Sequence, residues 1–183
     1  MKPTEVLIAE HNAVLTALQI LEKAAAAPPE SQASEHLEQL VDFFRGFVDR
    51  CHHGKEEIAL FPELERRGVA REGGPIGVML MEHEKGREYV RAIADELDRM
   101  RHGDAGATGR IREQAGAYCE LLQAHIDKEN SVLFPIADRL VPEDIAEQLA
   151  GQFEEIERTR VGEGKHEAYH AMLHALKKHY GVA

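Results

Sequence analysis

The chain has 183 residues, with 33 acidic against 22 basic side chains and a net charge of −11 with histidine neutral. That length allows one domain with a substantial core, and the acidic balance disfavours nucleic acid and anionic membrane surfaces as partners. No apolar run is long enough to cross a bilayer. Glu5, Glu10 and His11 interrupt the apolar start, which is therefore no signal peptide. The two isolated cysteines, Cys51 and Cys119, form no C-x-x-C pair and fit a reduced, cytoplasmic setting.

Helix formers are frequent and no segment alternates apolar and polar residues for long, so an all-α chain is expected. Leu7, Val14, Leu15, Leu18 and Leu21 recur at the helical period in a first helix over 4–27, which Pro28-Pro29 should stop. His11 lies on its apolar face. Ser34 is a suitable N-cap for a second helix striped by Leu37, Val41, Phe44 and Val48. Gly54 should loosen it locally, and Arg66-Arg67-Gly68 suits its end. Pro75 opens a third helix, to about His102, with His83 inward. The fourth runs from about Gly109 to Leu140, with Tyr118, Leu122, His125, Glu129 and Val132 on one face. Pro62 and Pro135 should bend or end their helices. Pro142 begins a further helix to about Arg158; Gly162-x-Gly164 breaks it, and a last helix spans 165–180. Short loops favour antiparallel neighbours. The expectation is an up-down-up-down four-helix bundle over about 4–140 with additional C-terminal helices over about 142–181, all within a single domain, 1–183.

One stretch occurs twice. His52-His53-Gly54-Lys55-Glu56-Glu57-Ile58-Ala59-Leu60-Phe61-Pro62 aligns with His125-Ile126-Asp127-Lys128-Glu129-Asn130-Ser131-Val132-Leu133-Phe134-Pro135. Both copies read H-x-x-K-E-x-x-x-L-F-P. Histidine and glutamate at i and i+4 share a helix face, so two such helices facing each other form a cage of nitrogens and carboxylates suited to iron or manganese rather than structural zinc. His53 and Glu57 have the same spacing; the Leu-Phe-Pro alignment favours His52 and Glu56. A lone inward histidine is usually a hydrogen-bonded core residue, and a lone His/Glu pair is usually solvated. The argument for metal is the joint pattern: the repeat plus His11 and His83 on the other two helices. Burying six such groups without ligation would cost on the order of 2–7 kcal/mol each.

His11, His52-x-x-x-Glu56, His83 and His125-x-x-x-Glu129 together resemble the ligand pattern of hemerythrin-like (HHE cation-binding) proteins. So do the flanking segments Lys55–Pro62, Gly74–Met79 before Glu82-His83-Glu84, and Glu129–Pro135. The same segments resemble the metal domain of bacterial iron–sulfur-cluster repair di-iron proteins. The likeness covers roughly residues 5–140. It implies a non-haem di-iron centre in a four-helix bundle, with two iron ions bridged by Glu56 and Glu129 and by an oxo or hydroxo group. His11, His52, His83 and His125 are then the terminal ligands, and two histidines per iron leave positions for oxygen, peroxide or nitric oxide.

Two features depart from the pattern. Oxygen carriers of the family have a fifth histidine one turn after His83, where this chain has Arg87, so a dedicated carrier is disfavoured. The repair proteins carry an N-terminal domain with a cysteine motif, for which His11 lies too near the start. Glu10, Glu57 and Glu82 are either partners that orient ligand imidazoles or surface carboxylates. Tyr118 is either a core residue or a hydrogen-bond donor near the metal. Cys51 is expected to point off the ligand face as an inert buried thiol. His166, His170 and His174, with Glu163 and Glu167 nearby, form a solvated face, an interface or a second metal site. The first-ranked function is binding of, or response to, oxygen, nitric oxide or peroxide, read by a protein partner. The alternative is stress-response iron chemistry: cluster repair, iron donation, or peroxide or nitric oxide turnover. Simple iron storage is a third. Whether the chain is an enzyme, its native metal and its oligomeric state stay open.

Overall fold

A computed structural model describes residues 2–27, 32–162 and 164–183. Eight α-helical segments occur among them: α1 (Pro3–Ala26), α2 (Ala33–Phe43), α3 (Phe61–Arg66), α4 (Pro75–Arg101), α5 (Ala107–Lys128), α6 (Phe134–Leu140), α7 (Glu143–Arg160) and α8 (Lys165–Tyr180). No strand occurs among the described residues. The chain runs helically from α2 to α3 through wide-turned π segments at Phe44–His53 and Glu56–Leu60, and from α5 to α6 through a third at Glu129–Leu133. The expected second and fourth helices are therefore single long rods. With α1 and α4 they make the bundle, and α4 packs along α5 across the short connection 102–106.

Of the two outcomes expected at the prolines of the repeat, bending or ending the helix, ending does not occur: both rods continue through them. A helical proline lacks an N–H, and its ring crowds the carbonyl four residues back. For Pro62 and Pro135 those carbonyls belong to Ile58 and Ser131, inside the π segments. There the hydrogen bonds step five residues instead of four: Phe61 N–H reaches Glu56 O, and Phe134 N–H reaches Glu129 O. The wider turn accommodates both the missing donor and the ring. Each of these two segments begins at the glutamate of the motif, so the sequence repeat is also a repeat of backbone geometry.

Ser34 is not the N-cap of α2. The helix begins at Ala33 with Gln32 in the cap position and no side-chain cap, which leaves Ser34 in the first turn. Pro142 likewise precedes α7 as its N-cap. The expected stop at Arg67-Gly68 is present: Val69 N–H bonds Leu64 O at 3.0 Å and Gly68 takes φ +90°, a glycine-terminated end that satisfies the last carbonyls. The proposed stop at Pro28-Pro29 and the side chain of Glu163 fall outside the described residues.

Two apolar clusters lie along the bundle. One centres on Leu18, Leu40, Phe43, Phe47, Ile93 and Leu122 and extends to Tyr169 and Leu173 of α8. The other holds Leu7, Phe61, Leu64, Ile76, Phe134 and Phe153 of α7. The histidines and glutamates of the motif lie between them. The C-terminal helices thus cover both clusters. Tyr169 closes on Gly46, where a Cβ would lie 2.0 Å from the phenol oxygen, so glycine is required for this approach.

Candidate metal centre

All six residues of the sequence pattern converge at the middle of the bundle, each at most 2% exposed. His11 and His52 bring their Nε2 atoms to 3.0 Å from each other, and His83 and His125 bring theirs to 3.2 Å. Between the pairs lie two carboxylates. Glu129 Oε2 is 3.2 Å from His11 Nε2 and 3.3 Å from His125 Nε2. Glu56 lies 3.5 Å from His52 Nε2 through Oε1 and 3.4 Å from His83 Nε2 through Oε2. Each carboxylate spans the two histidine pairs. Both oxygens of Glu56 and both of Glu129 are buried without a hydrogen bond.

The outer nitrogens of the rings are all held. His52 Nδ1 donates to Glu10 at 2.9 Å, His125 Nδ1 to Glu82 at 2.9 Å, His83 Nδ1 to Glu57 at 2.8 Å and His11 Nδ1 to the Asn130 side-chain oxygen at 2.8 Å. This sets one tautomer throughout, with Nδ1 protonated and the Nε2 lone pair facing inward, as a metal ligand requires. The three glutamates that the sequence left as either orienting partners or surface groups are orienting partners. Lys55 pairs with Glu10 and Lys128 with Glu82, which accounts for the lysine of the repeat. Its phenylalanine stacks on the histidine of a facing helix, Phe61 on His83 and Phe134 on His11. The site thus has an approximate two-fold relation: Glu10-His11 corresponds to Glu82-His83, and residues 52–62 correspond to 125–135.

His53 breaks that relation. It offers a ring nitrogen within 4.8 Å of ligand atoms of Glu56, His83 and His125, whereas its counterpart is Ile126. By spacing alone, His52/Glu56 and His53/Glu57 are alternative registers. In the structure His52, His53 and Glu56 all face inward, while Glu57 turns to the back of His83. The physical reason is the π segment ending at His53: a hydrogen-bond step of five residues turns less per residue than an α-helix and lets neighbouring side chains share a face. The count of two histidines on each side becomes three on one, His53, His83 and His125, and two on the other, His11 and His52. The adjacent His-His pair, one turn before the glutamate, was the available signal.

Electrostatics show the cost of assembling these groups. Burial and the charge of Glu129 push Glu56 well above the usual carboxylate range, while the surrounding histidines outweigh burial at Glu129 and hold it low. Two carboxylates this close do not both ionise without a compensating cation. Burial lowers His53 and His83 well below the ordinary imidazole value. Burial opposes ionisation of Glu10 too, but His52 and Lys55 overcome it and hold Glu10 at about 2. A centre of inward nitrogen lone pairs and unpaired buried carboxylate oxygens fits one or more metal cations, and the oxygen share suits iron or manganese.

Residues 2–137 match the Hemerythrin HHE cation binding domain. The chain belongs to this hemerythrin family. Among its relatives, an uncharacterized Mycobacterium tuberculosis protein, Rv1995, is 23% identical over 146 residues, covering 80% of this chain and 56% of the relative. The iron-sulfur cluster repair protein YtfE of Edwardsiella ictaluri is 36% identical over 104 residues, covering 55% of this chain and 46% of the relative. The chain spans about half the length of these relatives. It is a metal-binding hemerythrin-like protein, and no helix among the described residues is long and apolar enough to cross a membrane.

The remaining sequence candidates fall around this hemerythrin-type centre. Arg87 does not reach it: its guanidinium binds Asp49 and Glu57, each at 2.7 Å, bracing the carboxylate that holds His83. Tyr118 is a core residue, packed edge-on against Phe44, with burial raising its phenol well above the usual value. No hydrogen bond of its hydroxyl occurs among the described residues. Together with Val48, His53, Gly86 and Arg87 it lines a cavity of about 160 Å³. Cys51 is buried off the ligand face, and burial pushes its thiol up to about 12. His174 is exposed, while His166 and His170 bring their Nε2 atoms to 2.9 Å.

Proposed function

We propose that the chain holds a non-haem di-iron centre, with Glu56 and Glu129 between the metals, His11 and His52 on one iron, and His83, His125 and His53 on the other. The observation that carries this is the pair of fully buried carboxylates whose four oxygens have no hydrogen bond and lie among inward-facing imidazoles. Bound iron supplies redox capacity and coordination positions for a small ligand. The protein's own residues orient it: Glu10, Glu57, Glu82 and Asn130 hold the ring tautomers, and the two apolar clusters exclude bulk water. Two histidines on the His11/His52 side would leave a bound metal more of its coordination sphere than the three on the other, so that side would take oxygen, nitric oxide or peroxide. His53 as a fifth inward histidine would offset the absence of one at Arg87, which supports reversible oxygen binding. The two free, buried cysteines favour a reducing, cytoplasmic setting.

The second reading, stress-response iron chemistry, draws on the 36% identity to a protein named for iron–sulfur-cluster repair. Metal content of protein purified without oxygen, followed by the absorption spectrum on admitting air, tests the centre itself. Two irons per chain and a reversible ligand-to-iron band support small-ligand binding. Iron transfer to an apo iron–sulfur protein supports the second reading. Absence of bound iron removes both.

A further inference from the structure

Cys51, Glu157 and His166 present a sulfur, an oxygen and a nitrogen within 4.8 Å of one another, beside the main centre but not part of it. Cys51 is buried and faces away from the ligand cage; Glu157 comes from the end of α7 and His166 from the first turn of α8. Both helices lie beyond the residues that match the family domain.

His166 Nδ1 lies 3.1 Å from Glu157 Oε1, yet this buried nitrogen makes no hydrogen bond. The main centre has the same signature. His11 and Glu129 approach to 3.2 Å and His83 and Glu56 to 3.4 Å, while the carboxylate oxygens stay without hydrogen bonds. Such contacts arise when donor atoms aim at a common point rather than at each other. The outer contacts agree. His166 Nε2 lies 2.9 Å from His170 Nε2; with Nε2–H donating there, Nδ1 keeps its lone pair for a metal. Glu157 Oε2 accepts from Lys55 Nζ at 3.1 Å, which leaves Oε1 free. Lys55 opposes a cation here, since its ammonium contacts Cys51 as well as Glu157, and Glu10 balances its charge.

We propose that Cys51 Sγ, Glu157 Oε1 and His166 Nδ1 form a separate mononuclear site for a divalent cation of the zinc class. Three protein ligands leave a fourth position for water, and the sulfur distinguishes this site from the oxygen-rich main centre. Binding replaces the Cys51 S–H bond with a metal–sulfur bond and releases the proton to solvent. The site does not depend on the main centre being di-iron.

Cobalt(II) is the probe. Full-length Cys119→Ala protein, in which Cys51 is the one thiol, is loaded with iron and titrated with cobalt(II). The expected result is a thiolate-to-cobalt charge-transfer band that saturates at a single equivalent and is displaced by zinc. His166→Ala and Glu157→Gln, both at partly exposed positions, weaken cobalt binding by about tenfold or more. The main centre contains no sulfur, so cobalt entering there gives no such band, and a failed di-iron assignment reads out separately as missing iron. Absence of the sulfur band, or unchanged cobalt affinity in either variant, overturns the proposal.

Discussion

His53 lies face to face with His83, ring centroids 3.7 Å apart and planes 14° from parallel. Phe61 stacks on His83 as well, at 5.9 Å, while in the other half His11 has Phe134 at 5.5 Å and Ile126 stands where His53 would be. The two halves therefore offer unequal donor sets. His53→Ala is expected to lower the affinity for one iron by about tenfold or more and to leave the other in place, with added imidazole restoring the second iron. Metal analysis with and without imidazole checks this. Two tightly held irons in His53→Ala would show that His53 only stacks.

The glutamates behind the rings carry a second expectation. Glu82→Gln and Glu57→Gln are each expected to weaken iron binding by about 10–100-fold with the fold retained, because a carboxylate on Nδ1 fixes the tautomer and strengthens the imidazole as a donor. Glu88→Gln, at an exposed position on the same helix as Glu82, should change nothing. Competition with a chelator measures all three, and equal affinities across the set would contradict the role assigned to the Nδ1 contacts.

Glu56→Gln should act with opposite signs on the metal-free and metal-loaded protein. Without metal, Glu56 is forced well above its ordinary value of 4.5. A folded value above the unfolded one contributes stability at low pH and loses it as pH rises through the folded value. Replacing this carboxylate stabilises the metal-free protein, by on the order of 1–3 kcal/mol at neutral pH and by less at low pH. The same change removes a ligand, so iron no longer stabilises the fold as it does in the parent protein. Urea midpoints with and without iron give both signs in one experiment.

Acid should unfold the metal-free protein in two ranges. Burial lowers His53 and His83 well below 6.5; a histidine with a depressed folded value loses its contribution as pH falls below that of the unfolded chain, so loss begins near 6.5. Glu10, held at about 2 against 4.5, contributes above 4.5 and loses its contribution between 4.5 and about 2, on the order of 3 kcal/mol in all. Glu10→Gln should take its own share out of the lower range, where Glu129 and other carboxylates held low still contribute, and keep the upper. A stability profile of Glu10→Gln identical to the parent below about pH 4.5 would count against this.

Gly46→Ala should loosen the C-terminal helix from the bundle. The added Cβ would sit 2.0 Å from the Tyr169 oxygen, a phenol that also bonds Asp42 at 3.2 Å. Overpacking of this kind costs about 1–3 kcal/mol, a fall of a few degrees in thermal midpoint. Tyr169→Phe in the same chain should recover part of the loss by removing the clashing atom.

Much of this was legible in the residues. Periodicity and breakers located the helical rods, and the repeated H-x-x-K-E-x-x-x-L-F-P singled out His52, Glu56, His125 and Glu129 because i, i+4 spacing is a property of the helix alone. His11 and His83 followed from their apolar faces. α-Helical geometry alone allows Pro62 and Pro135 to end their helices, whereas the five-residue step of the backbone carries both rods past them. The same α-helical geometry makes His52 and His53 look like alternatives.

The sequence by itself determined the helical periods, the repeat and so the chemistry of the cage, since these depend on residue type and local spacing. Only the tertiary structure decided which atoms meet: Glu10 with His52 across 42 positions, Glu82 with His125 across 43, and Cys51 with two residues of the C-terminal helices. Such meetings are set by the packing of one rod on another and by the local widening of a helix. Both are solutions to the burial of the whole chain and leave no fixed interval in the sequence.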